Sequence, residues 1–155
     1  MDAYTLSTVF RVLHVVGFSL WFGALVAEYL LARAYGEAEV PVRLAYAGIH
    51  RHIDRIVIHA GLALVLLAGV GMLFTIGFGT VFGTRGGLFH LKILLGLVAV
   101  VLQGVANASF RRALEALSRG SESEWMGAFR RWRLLAGIVL LMLLYNLLAG
   151  VITTS

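Results

Sequence analysis

Apolar residues fill four stretches of the chain, about 8–32, 56–76, 88–109 and 134–153. Each reaches the roughly 20 residues that a helix needs to cross the hydrocarbon of a bilayer. The pattern predicts an all-α integral membrane protein: an antiparallel bundle of four transmembrane helices forming a single polytopic domain over residues 1–155. The first stretch is too long for the apolar segment of a signal peptide, and neither a basic start nor a small-residue cleavage site flanks it. It is therefore expected to be retained as a helix. Residues 36–55 begin polar around Glu37, Glu39 and Pro41 and turn amphipathic through Leu44, Tyr46 and Ile49, so the second helix is expected to start as an extension outside the bilayer. The connection GFGTVFGTRGG is glycine-rich and nearly uncharged, which suits a tight or irregular cap. The connection SRGSESEW reads as a polar, mobile loop.

Composition agrees with this reading. Of 155 residues, 60% are hydrophobic and 14% charged, and mean hydropathy is +0.90, far from the balance of a soluble domain. Charge placement adds orientation. Arg33, Arg43, Arg51 and Arg55 lie between the first two helices, and Arg111, Arg112, Arg119, Arg130, Arg131 and Arg133 between the last two. The other side carries Arg11, Arg85 and Lys92. The positive-inside rule then places both arginine-rich connections in the cytoplasm and both termini on the extracytoplasmic side of a cell (inner) membrane. The net charge of +5 is accounted for by topology and anionic headgroups, with no call for nucleic acid. There is no cysteine, which excludes disulfides, covalent haem attachment, thiolate-bound iron–sulfur clusters and copper–thiolate centres. A haem here would be a b-type haem.

Ionisable groups within apolar stretches mark candidate sites, because their burial in hydrocarbon is costly. His14 shares one stripe of helix 1 with Gly17, Trp21, Leu25 and Glu28 at 100° per residue. Gly17 would let a neighbouring helix or a flat ligand approach closely, and Trp21 offers an apolar plane with a donor edge. The alternative for His14 is a core histidine bonded to a backbone carbonyl of the next helix. His90 and Lys92, the only lysine, open the third helix. His14 and His90 would lie at similar depth, within ~5 Å by helix rise, as a bis-histidine haem in a bundle requires. Arg11, Arg85 and Lys92 at that end are the cations available to haem propionates. Two residues apart, however, His90 and Lys92 point nearly opposite ways on a regular helix. Either His90 precedes the helix, or one of the two stripes faces a second subunit.

Other polar residues carry weaker expectations. His59 follows His52 and Arg55 on one stripe and is a candidate for a second haem, a metal or an alternative ligand, roughly 15–20 Å from His14 by helix rise. His50 and His52 read more simply as a solvated entry to helix 2. Glu28 suggests an interfacial ion pair with Arg33 or another arginine, with a proton relay as the alternative. Asn107 and Asn146 suit hydrogen bonds between helices. Met72 and Met142 are either soft ligands or, more commonly, packing.

Four segments, LHVVGFSLWFGALV, HIDRIVIHAGLALVLLAGVGML, LFHLKILLGLV and FRRWRLLAGIVLLMLL, together resemble the HemJ-type protoporphyrinogen oxidases and their wider CopD-like relatives over nearly the whole chain. The sharpest elements are His14 followed by Trp21 and Gly23, and the H-x-K run of His90 and Lys92. The resemblance implies a small helical membrane protein that binds haem b and oxidises protoporphyrinogen IX, with His14, His90 and Lys92 as its functional residues. It departs from the family where IHAGLALVLL replaces the usual proline and methionines, and His59 stands there as a ligand this branch would have gained. The expected function is a haem b redox protein with His14 and His90 as axial pair and Lys92 as catalytic residue. Its reductant would be a porphyrinogen or quinol, its acceptor a quinone or other membrane carrier, and its oligomeric state, including a homo-oligomer, stays open. The alternatives are a CopD-like copper or metal permease using His14, Met72 and His90, and a cofactor-free structural or assembly subunit.

Overall fold

The computed structural model describes residues 2–35, 38–77, 79–80, 83 and 87–154. Four long helices dominate them: α1 (Ala3–Tyr35), α2 (Val40–Ile76), α3 (Gly87–Ser118) and α4 (Glu122–Thr154). Each is long and apolar enough to cross a membrane. The glycine-rich connection between α2 and α3, with Arg85, falls largely outside the described residues.

The helices extend well past the apolar stretches. α2 begins at Val40 rather than near 56, and Pro41 sits in its first turn, where a missing N–H costs nothing. It continues through one π-helical turn, Asp54–Ile58, into the apolar segment. α3 runs on to Ser118 and α4 starts at Glu122. These extensions are stable because one face of each is buried: Ala47 and His50 on α2, Phe110, Ala113, Ala116 and Leu117 on α3, and Trp125, Phe129 and Trp132 on α4. Trp125, Phe129 and Trp132 stack along α4 (centroids 4.6 and 5.6 Å apart) and meet Phe110 of α3. Hydropathy averages those aromatic faces with the arginines opposite them, and so misses the helix.

The supposed mobile loop SRGSESEW is instead a three-residue turn. Gly120 takes a left-handed conformation, φ +74°. Around it, Ser121 N–H donates to Ala116 O and Gly120 N–H to Leu117 O, the pairing that closes a helix with glycine just past its end. Glu122 and Glu124 then open α4, where carboxylates complement the helix dipole. Glu122 pairs with Arg43 of α2, and Glu124 with Arg119 at 2.8 Å.

α1 packs along α2, and α3 along α4. The first pair is antiparallel and closes at two glycines. A Cβ on Gly17 would fall 2.6 Å from Leu64 Cβ and 2.8 Å from Gly61 O; one on Gly61 would fall 2.8 Å from Gly17 O and Trp21 N. The second pair closes on small residues, with Ala99, Ala106, Ala113, Ala116 and Ala136 all buried. Contacts Lys92–Gly150 and Gly96–Asn146 set its antiparallel register, so residues 2 and 154 lie at the same end of the bundle. The arginines of both connections cluster at the other.

Gly61→Ala pushes a methyl into the backbone of α1, which cannot yield as a side chain can. It is expected to destabilise by about 1–3 kcal/mol, read as a lower Tm of the detergent-purified protein. Gly104→Ala, which meets nothing within 4 Å, is expected to hold or raise Tm.

Candidate functional site

Two polar regions lie along the bundle. At the end that carries the termini, His14 Nδ1 lies 3.0 Å from Val65 O of α2. A carbonyl can only accept, so Nδ1 carries a proton, and in the neutral ring Nε2 keeps its lone pair. The backbone-bonded alternative for His14 is therefore what the structure contains, though that bond occupies one ring nitrogen only. Lys92 is half-buried, its Nζ lying over Gly150 of α4, and is close enough to His14 to act on it electrostatically. Arg11 is exposed one turn before His14.

His90 stands differently. α3 begins at Gly87, so His90 is inside the helix and not in a loop before it. Of the two opposed stripes, the one with Lys92 is the inner one: Ala99 and Gln103 are fully buried, and Gly96 meets Asn146. On the stripe of His90, Leu94, Leu97 and Val101 are 56%, 53% and 66% exposed. His90 itself is half-buried beside Phe89. The pairing of Trp21 with Gln103 fixes the relative height of α1 and α3, and on that register His90 lies about 9 Å above His14 rather than within ~5 Å of it.

Gly17 and Trp21 serve packing rather than a cofactor face. α2 occupies the space over Gly17, and Trp21, 1% exposed, donates Nε1–H to Gln103 Oε1 at 3.4 Å. His59 is an exposed side chain whose Nδ1 sits 2.7 Å from Asp54 O. It lies six residues before Val65, about 9 Å by rise, so the separation from His14 is shorter than the sequence suggested. Among the described residues, no three histidine, aspartate or glutamate side chains converge as a metal-ligand set.

The second region, toward the arginine-rich end, was underrated from sequence. Trp21 donates to Gln103, Gln103 Nε2 to Asn107 Oδ1 at 2.9 Å, and Asn107 Nδ2 to Asp54 Oδ1 at 2.7 Å. All three donors point the same way, so α1, α3 and α2 are joined by one chain that ends on a carboxylate. The π turn begins at that residue; such bulges often mark functional sites. Nearby, Glu28 is fully buried against His50, Oε2 to Nε2 3.5 Å, and not against an arginine. His50, expected to be solvated, is 1% exposed. Its ring stacks on Phe110 at 3.7 Å and meets the edge of Trp132 at 4.8 Å. His52 is exposed, as expected. The signal for His50 was available: Ala47 and His50 share a stripe with Asp54, the buried side of an amphipathic helix. Asn107 bridges helices as predicted; Asn146 Oδ1 is buried without a hydrogen-bond partner.

A shallow groove of about 500 Å³ runs between α1 and α4, lined by Phe22, Val26 and Tyr29 on one side and Leu134, Gly137 and Leu141 on the other. Its lining is mainly apolar, and neither polar region opens into it. No protein-family model, curated protein or solved structure matches the chain.

Asn107→Leu leaves the buried end of the donor chain open on both sides. It is expected to cost about 1–3 kcal/mol, the penalty for an unsatisfied buried polar group, and to lower Tm in detergent. An unchanged Tm would mean that the chain is not part of what holds α2 to α3.

Proposed function

We propose that this chain is a multi-pass protein of the cell (inner) membrane, with both termini extracytoplasmic, that binds haem b through His14 and serves membrane redox chemistry. The observation that carries the reading is the hydrogen bond of His14. An imidazole that donates Nδ1–H to a backbone carbonyl is fixed in tautomer and ring orientation, with Nε2 basic and available. This is the usual outer-shell arrangement of a metal-ligating histidine.

Bound haem b would supply one-electron redox chemistry, its potential tuned by axial ligation and burial. The chain's own residues bind and orient. His14 offers Nε2 from a helix held rigidly to α2 by the Gly17–Gly61 contact. Lys92, half-buried and within electrostatic reach, offers a cation to a porphyrin carboxylate, and exposed Arg11 offers another at the interface. His90 rises from a stripe that turns outward, so we assign it no ligand role within a single chain. The HemJ-like elements in the sequence favour a porphyrinogen as the substrate, with a quinol as the second choice, and Lys92 as the group nearest the chemistry. The concentration of arginine at the opposite end supports the orientation.

The test is the optical spectrum of the detergent-purified protein. A Soret band and a reduced α-band are expected, lost in His14→Ala and retained in His90→Ala. A colourless wild-type protein, or a Soret band that survives in His14→Ala, would remove the reading.

A further inference from the structure

The buried carboxyl of α1 has no part in the redox reading and no ordinary structural explanation. Glu28 is 0% exposed, and neither oxygen receives a hydrogen bond. An ionised carboxylate in such a place would forfeit its hydration with no donor in return, a cost of several kcal/mol. What faces it is the imidazole of His50, with Nε2 3.5 Å from Oε2. α3 and α4 close the site with aromatic surface, Phe110 and Trp132, against which the imidazole is wedged. The ionisable group on α2 that reaches Glu28 besides His50 is Asp54, close enough to act on it electrostatically.

The two carboxyls have opposite surroundings. Asp54 terminates the chain of donors through Asn107 and lies within electrostatic reach of Arg111 of α3 and of His59. Glu28 has no donor and faces a base. Where two neighbouring acids differ in this way, one holds a proton and the other carries the charge. Two neutral partners, COOH and imidazole, also cost less to bury than a carboxylate and an imidazolium.

We propose that Glu28 and His50 form a proton-binding site in the arginine-rich half of the bundle: a carboxylic acid whose Oε2–H is donated to Nε2 of His50, and which exchanges its proton with water by way of Asp54 and His59. The proton count is closed. Moving the proton from Oε2 to Nε2 gives a carboxylate and an imidazolium; passing it to Asp54 leaves a carboxylate on Glu28 and an acid on Asp54. No other reactant is consumed. Asp54 is suited to be the outlet because its side chain is 19% exposed, and that of His59, 4.0 Å away, is 59% exposed. The site does not depend on haem, and apoprotein is sufficient to test it.

The experiment is infrared spectroscopy of the purified protein at neutral pH, where exposed carboxyls are ionised, in H2O and after transfer to D2O. Expected is a carboxylic C=O band that shifts down in D2O, disappears in Glu28→Gln and moves to higher frequency in His50→Phe, which withdraws the hydrogen-bond acceptor. Asp54→Asn should keep the band and slow its isotope exchange. Glu28→Gln, isosteric with the neutral acid, should leave Tm unchanged, whereas a buried ion pair would lose stability on that change. A wild-type spectrum with no carboxylic band, or a band that persists in Glu28→Gln, overturns the proposal. Should Glu28→Gln fail to fold, a band at the same frequency in His50→Phe overturns it instead. Exchange in Asp54→Asn as fast as in wild type overturns the outlet.

Discussion

The contact between Gly17 and Gly61 sets the register on which both polar regions depend. In hydrocarbon no hydrophobic force draws helices together, so association rests on close packing and on hydrogen bonds. Two glycines at one crossing let the backbones of α1 and α2 touch, and the antiparallel register follows from there. Counting along α1 and back along α2, Glu28 and His50 each stand eleven residues from the crossing, about 16 Å by helix rise, and so come level. In the opposite direction, three residues on α1 and four on α2 bring His14 to the carbonyl of Val65.

The second helix pair is added to the first through polar contacts. Besides the exposed pairing of Arg43 with Glu122, this boundary is crossed by the bonds Trp21 to Gln103 and Asn107 to Asp54, and the internal bond Gln103–Asn107 joins those two into one chain. A donor chain is economical in a low-dielectric interior only if every member is satisfied, since a half-satisfied network is worse than an apolar one. This one meets that condition because its final acceptor is a carboxylate with lone pairs to spare. The π turn belongs to the same arrangement. Widening α2 at Asp54 leaves its carbonyl to accept both the backbone N–H of His59 and the ring nitrogen of the same residue.

Much of this was legible in the sequence, and the failures have physical causes. Four apolar stretches gave four helices, and the helix 1 stripe of His14, Gly17, Trp21 and Glu28 is indeed turned inward. Small or uncharged residues follow Lys92 at helical spacing, Gly96, Ala99 and Gln103, and that stripe is the inner one, with Ala99 and Gln103 fully buried. What escaped was mostly what depends on how one helix is set against another. His50 reads as solvated because its neighbours Arg51 and His52 are charged or polar. Only the approach of α1 and α4 supplies the carboxyl and the indole that enclose it. The helical start of α4 was hidden by SESE, whose acids are surface residues on a helix with Trp125 on its buried side. The level of His90 was misjudged because apolar length alone gives no register between α1 and α3; one hydrogen bond, Trp21 to Gln103, does.

The separation of the two polar regions limits what each can do to the other. His14, Trp21 and Glu28 follow one another at seven-residue steps on a single face of α1, which puts His14 and Glu28 about 21 Å apart by helix rise. At an effective dielectric constant of about 20, a unit charge appearing at one is worth about 0.8 kcal/mol at the other, or roughly a fourfold change in an equilibrium constant. On the proposed readings, direct electrostatics would therefore couple a charge change at the His14 end to proton occupancy at Glu28 only weakly. Any stronger coupling must pass through matter that both ends touch. The path on offer is Trp21, which packs on the stripe between them and opens the donor chain that ends at Asp54, the neighbour of Glu28. A rearrangement at Trp21 changes whether Gln103, and through it Asn107, still holds its donor toward Asp54. The indole that joins α1 to Gln103 thus lies on the face of α1 between the two regions and opens the donor chain that ends at Asp54.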